Sequence, residues 1–210
     1  MEYEILKPFG PTIYKSKLSN DFMKFISEIS EQTRTANINV GETLAGNISN
    51  QLEAVMDESQ RKTFATEMFT HIYNAVYETE KKYCPDDENF INKEKLYFDF
   101  GNGPWINFQN SGEFNPMHSH TGKLSCVLYI SVPECISEEN NSGLKTNTPC
   151  AGQISWVYGS RDYGTDFSYL HQPKTGELFL FPAGLPHMVY PFKSDVERIS
   201  LSFNVYNLRY

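Results

Sequence analysis

The sequence predicts a mainly β fold preceded by helices, and three observations carry that prediction. In the first half, Phe64, Met68, Ile72 and Val76 recur every four residues with charges between them, the spacing of one helix face. Beyond residue 95 the texture changes to short runs that alternate apolar and polar residues between turn signals, as in a sandwich or barrel. Thirteen Tyr and fifteen Phe among 210 residues suit strands better than helices. The expected organisation is a single domain, with a helical elaboration over 1–94 and a β core over 95–210.

Residues 1–18 carry Pro8, Gly10 and Pro11 and read as a short strand with turns. Ser19-Asn20-Asp21 is a helix-start signal ahead of Phe22, Phe25 and Ile26, and that helix is expected to run to about residue 34. A polar connection follows over 35–45, then a short helix over 47–55. The long helix is expected from Glu58 to Lys82, ending before the break signal Cys84-Pro85-Asp86-Asp87. Strands are expected near 95–100, 104–109, 123–132, 152–158, 167–172, 177–181, 187–192 and 197–207. Leu124, Cys126, Leu128 and Ile130 alternate with Ser125, Val127, Tyr129 and Ser131, and Leu201, Phe203 and Val205 alternate with Ser200, Ser202 and Asn204. Each strand therefore has one apolar face and one mixed face. The polar excursion over 134–150 is too long for a hairpin turn and has the look of a lid.

The bulk properties narrow the function. A net charge of −8 speaks against nucleic acid as the main partner, because phosphate binding needs a basic footprint. No 18-residue apolar run is present and the start lacks an apolar signal core, so no membrane span and a cytoplasmic location are expected. Cys84, Cys126, Cys135 and Cys150 form no CxxC pair and are expected to be reduced thiols, although Cys135 and Cys150 flank one loop.

The chemistry is concentrated in His118-Ser119-His120, His187 and Arg198-Ile199-Ser200. On an extended strand, residues i and i+2 share a face at roughly 6–7 Å, so His118 and His120 can converge on one metal ion. His187 from a distant strand would complete one face of an octahedron and leave the other open for a co-substrate and O2, an arrangement that suits Fe(II). Arg198, on an alternating strand with Ser200 on the same face, is placed to grip a carboxylate of a dicarboxylate co-substrate, with a hydrogen bond from the Ser200 hydroxyl. His71 and His171 read as structural, and Trp105, Trp156, Tyr158 and Phe179 are candidate cavity walls. No catalytic residue is expected beyond the metal site.

Around these residues lie Gly176-Glu177-Leu178-Phe179-Leu180-Phe181-Pro182, Leu185-Pro186-His187 and Glu197-Arg198-Ile199-Ser200-Leu201-Ser202-Phe203-Asn204-Val205. Over 100–207 the pattern resembles the 2-oxoglutarate/Fe(II)-dependent oxygenases of phages and marine bacteria, relatives of the prolyl hydroxylases. Leu44-Ala45-Gly46-Asn47-Ile48 resembles a segment ahead of the core in phage members. The resemblance implies a double-stranded β-helix (jelly roll) packed against helices, with iron at its mouth and O2 as oxidant. It implies that Arg198 and Ser200 hold the distal carboxylate of 2-oxoglutarate, that Tyr129 assists, and that Asn107 and Gln109 face the co-substrate. It further implies hydroxylation of a protein side chain such as proline, or of a small metabolite, with release of succinate and CO2. A viral chain would work in the host cytoplasm, and the N-terminal helices would shape substrate access or a homodimer contact.

One departure stands out. The wider superfamily has His-x-Asp where this chain has His118-Ser119-His120. Three neutral imidazoles remove one charge–charge attraction, so iron should bind more weakly before the co-substrate arrives. Histidine is neither small nor non-coordinating, which argues against a halide at that position. Two other classes compete: a three-histidine cupin-like metalloenzyme that does not use 2-oxoglutarate, and a non-catalytic jelly-roll module. Arg198 and Ser200 argue against the former and the histidines against the latter.

Overall fold

The computed structural model describes residues 2–6, 10–82, 91–141, 147–161 and 166–210. Among the described residues, twelve strands and three α-helices follow one another along the chain. They are β1 (Tyr3–Leu6), β2 (Ile13–Lys17), α1 (Asn20–Ala36), β3 (Asn50–Glu53), α2 (Glu58–Glu80), β4 (Tyr97–Asp99), β5 (Trp105–Gln109), β6 (Asn115–His118), β7 (Leu124–Ser131), α3 (Glu134–Glu138), β8 (Ile154–Val157), β9 (Ser168–His171), β10 (Glu177–Pro182), β11 (His187–Val189) and β12 (Arg198–Arg209). The break signal at 84–87 lies outside the described residues.

Local chemistry sets the helices. The Ser19 hydroxyl accepts the Phe22 backbone N–H at the start of α1, and Asn37 ends it in the left-handed conformation at φ 52°. Phe22, Ile26, Ile29 and Thr33 form the buried stripe of α1. Asp57 and Gln60 make a reciprocal capping box on α2, which buries Phe64, Met68, Ile72 and Val76.

All strand pairs are antiparallel, in two sheets. The main sheet runs β1-β2-β10-β7-β12-β5-β3, with β4 also against β12, and the smaller sheet runs β6-β11-β8-β9. Side-chain alternation then builds two cores. Leu124, Cys126, Leu128 and Ile130 of β7 and Leu201, Phe203 and Val205 of β12 pack beneath the two long helices. Val127 and Tyr129 of β7 point the other way, against Ile154 and Trp156 of the smaller sheet and Phe179 and Phe181 of β10. The fold is a jelly roll with helices on its outer face, the class the sequence predicts.

One expectation needs correction. Residues 47–55 contain the strand β3, not a helix, because Asn50–Glu53 pairs with β5 along its whole length. The strand expected within 1–18 is present as β1 and β2, which with β3 belong to the main sheet. In the 134–150 excursion, α3 is followed by Glu139, whose carboxylate accepts the Lys193 and Ser194 backbone N–H groups, while 142–146 lie outside the described residues. Cys126, Cys135 and Cys150 are free thiols. No helix among the described residues is long and apolar enough to cross a membrane.

Candidate metal and co-substrate site

His118 ends β6 and His187 begins β11, and the two are register partners across the smaller sheet. His120 lies past the end of β6, not on an extended strand with His118. Its backbone N–H donates to the Ala183 carbonyl at 2.8 Å, which folds it back toward the other two rings. The ring centroids of His118 stand 4.8 Å from His120 and 4.3 Å from His187, and His120 stands 5.2 Å from His187. One nitrogen from each ring lies within 4.8 Å of the others.

The hydrogen bonds settle which nitrogens are free. Nδ1 of His118 donates to the Pro116 carbonyl at 2.7 Å, and Nδ1 of His187 donates to the Leu185 carbonyl at 2.9 Å. Both rings are thereby fixed with Nε2 as the lone-pair donor. Burial, and then the neighbouring His118, push the pKa of His120 down to about 4 and that of His187 down to about 3. Both imidazoles are therefore neutral near pH 7, the state that ligates. An all-nitrogen set of this kind suits a borderline divalent ion such as Fe(II).

Arg198 begins β12 on the face that looks into the roll, opposite Gln109 of β5. It is 3% exposed. One terminal nitrogen donates to the Gly152 carbonyl and the other to Oε1 of Gln109, while Nε has no partner. No carboxylate forms an ion pair with it among the described residues. A buried guanidinium held only by neutral acceptors is costly, and a carboxylate brought in by a ligand removes that cost. The Tyr129 ring lies 5.6 Å from the guanidinium carbon, and its buried hydroxyl is also unpartnered. Burial raises the Tyr129 pKa far above its usual range, so the phenol stays a neutral donor. Ser200 pairs in register with Asn107, whose Nδ2 donates to the Ser200 hydroxyl at 3.4 Å.

One cavity gathers all of these groups: the three histidines, Arg198, Ser200, Asn107, Gln109 and Tyr129 all line it. Trp105 lines it too, whereas Trp156 and Phe179 sit in the apolar core behind it and Tyr158 is half exposed outside it. His171 is elsewhere, with Nε2 2.8 Å from the Glu177 carboxylate, and His71 is on the buried face of α2 against Tyr14. Sequence reasoning missed Gln51, whose Nε2 donates to Oδ1 of Asn107 at 2.8 Å, and the roof over it. That roof is the 44–48 segment, tied down by backbone hydrogen bonds between Asn47 and Phe114. No sequence signal marked Gln51, because β3 is only four residues long.

Residues 103–204 match the family model described as "Putative 2OG-Fe(II) oxygenase". Over that stretch the sequence is similar to the 2OG-Fe(II) oxygenases. The cofactors of that family are Fe(II), 2-oxoglutarate and O2, and the three-histidine group fits the iron. Among solved structures, a Pseudomonas putida prolyl-4-hydroxylase superposes with a TM-score of 0.57 at 16% identity, covering 91% of each chain. A Trichoplax adhaerens prolyl hydroxylase, solved with a hypoxia inducible factor peptide fragment, gives a TM-score of 0.50 at 12% identity over 93% of this chain and 83% of that one. At such identities the likeness is one of fold. No curated protein matches the sequence.

Proposed function

We propose that this oxygenase hydroxylates a C–H bond of a protein side chain such as proline, or of a small metabolite, with His118, His120 and His187 as the iron ligands. Bound there with 2-oxoglutarate, iron would supply oxidative decarboxylation: one atom of O2 enters succinate as CO2 leaves, and the other enters the substrate. The chain's own residues do the rest. Arg198 binds the distal carboxylate, and Ser200 and the neutral Tyr129 add hydroxyl donors to it. Gln109 holds the guanidinium in place before the carboxylate arrives. Val127, Ile154, Phe181 and Val189 make the apolar part of the cavity wall and keep water from the reacting groups.

The observation that carries this reading is Arg198: a buried cation without an anionic partner among the described residues, inside the same cavity as three imidazoles. A three-histidine enzyme that binds its substrate directly on the metal has no use for that cation. The test is an anaerobic titration of the protein with Fe(II) and 2-oxoglutarate, following the visible metal-to-ligand charge-transfer band. We expect the band in the wild type, its loss in His187→Ala and a weaker co-substrate affinity in Arg198→Ala. A wild type without the band overturns the proposal. His120→Asp restores the superfamily's carboxylate and should keep or tighten iron binding; complete loss of iron would give His120 a different task.

A further inference from the structure

The mouth of the cavity holds side chains that the chemistry above leaves idle. Glu53 of β3 and Trp105 of β5 are register partners. Together with Leu44, Phe100, Tyr206 and His120 they line an outer vestibule, so this chamber opens directly onto one of the proposed iron ligands. Glu53 is exposed, and its carboxylate has no hydrogen bond or ion pair among the described residues. Among the described residues it is the sole carboxylate lining the vestibule, and no Lys or Arg lines it. Arg61 lines a neighbouring lobe that Glu53 also borders, but its Nε donates to the Met56 carbonyl at 3.0 Å and it forms no ion pair with Glu53.

An unpaired carboxylate beside an indole is the combination that holds organic cations, since the ring face attracts the charge and the carboxylate neutralises it. The inner cavity continues the trend. Gln51 is 2% exposed, its Nε2 is committed to Asn107, and its Oε1 is buried without a partner on the cavity wall. That atom accepts an N–H. With Arg198 counted, a divalent cation and a dianionic co-substrate leave one net positive charge deep in the cavity, so the attraction for a cation comes from Glu53 at the mouth.

We infer that the vestibule binds a substrate bearing an alkylammonium or guanidinium group, held by Glu53 and Trp105 with the carbon to be hydroxylated directed toward His120. This rests on the oxygenase reading above and names its substrate class. The cation has two sources, a free amine or guanidine and a lysine or arginine residue of a peptide.

The test uses protein loaded anaerobically with Fe(II) and 2-oxoglutarate, so that the charge-transfer band reports the loaded state in the same cuvette. Probes are n-butylamine, free arginine, short lysine and arginine peptides, and the same peptides acetylated on lysine or carrying citrulline. Binding is read from Trp emission, to which Trp105 at the mouth responds while Trp156 is buried. Cationic probes should bind at least tenfold more tightly than their neutral counterparts. Glu53→Gln should lose at least tenfold in that affinity and Glu53→Lys should lose it entirely, with circular dichroism as the check on folding. Saturation by free arginine or butylamine points to a small metabolite, and saturation by peptides alone to a protein residue; both support the inference. Equal affinity for neutral and cationic probes, or cationic binding untouched by Glu53→Gln, overturns it. So does an intact band with no probe binding, which leaves the oxygenase reading standing.

Discussion

The two faces of the main sheet are equally dry and chemically opposite. On β12, Leu201, Phe203 and Val205 face the helices, while Arg198, Ser200 and Asn204 of the same strand are buried toward the roll. On β7 the pair Cys126 and Leu128 faces the helices, and Ser125 on the other side donates its hydroxyl to Asn204 Oδ1 at 2.7 Å. A domain free to maximise stability would make both faces apolar, because each buried polar group must recover its lost hydration through hydrogen bonds. The helix-covered face therefore holds the fold, and the inner face gives up stability to keep recognition groups in a water-poor cavity.

The largest effect should separate the faces outright. Phe203 packs edge-on against Phe64 at 5.8 Å and Phe100 at 5.0 Å between ring centroids. Phe203→Ala should cost about 4 kcal/mol of unfolding free energy, the range for a buried ring. Its neighbour Ser202→Ala, on the inner face, should cost under about 1 kcal/mol. Urea denaturation of the two variants measures the contrast; equal losses would erase it.

Arg198→Met sharpens the same contrast from the other side. The guanidinium is buried with no carboxylate partner among the described residues, so an unbranched apolar replacement should leave the unliganded protein as stable as the wild type or more so. Binding of 2-oxoglutarate should weaken by about 3 kcal/mol. The readout is the thermal upshift on adding 2-oxoglutarate, which should vanish while the starting melting temperature holds. A fall in that starting value comparable to Phe203→Ala would make Arg198 a structural residue.

How much of this was legible in the sequence follows from the same two faces. Strict alternation on β7 and β12 announced both strands and told which residues point together, so Arg198 and Ser200 were readable as a pair. His118 was readable from its His-x-His spacing with His120, and His187 because it opens an expected β run. The meeting of His120 with them was anticipated from the wrong local geometry: a turn held by the Ala183 carbonyl, not strand periodicity, brings it in. Gln51 and Glu53 were invisible because β3 is only four residues long. No pattern marks so short a strand; its pairing with β5 is a tertiary decision. Much of the mouth of the cavity is built by that pairing, which is why its side chains escaped a reading based on periodicity.

The smallest effect concerns the one histidine on the helix-covered face. His71 is 1% exposed, and its Nδ1 shares a 2.9 Å hydrogen bond with the Tyr14 hydroxyl. Burial lowers its pKa from 6.5 to about 4. The unfolded chain therefore takes up a proton near pH 6.5 that the folded chain refuses until about pH 4. Stability from this group is complete above pH 6.5 and drains away as the pH falls toward 4, by about 2 kcal/mol at pH 5. His120 and His187 titrate with the same sign, so the wild-type acid limb sums all three. His71→Gln should flatten that limb by the His71 share alone and leave the inner-face share in place. Unfolding free energies at pH 7 and pH 5 for both proteins give the difference. An unchanged pH slope in His71→Gln would mean that the acid sensitivity belongs wholly to the cavity side of the sheet.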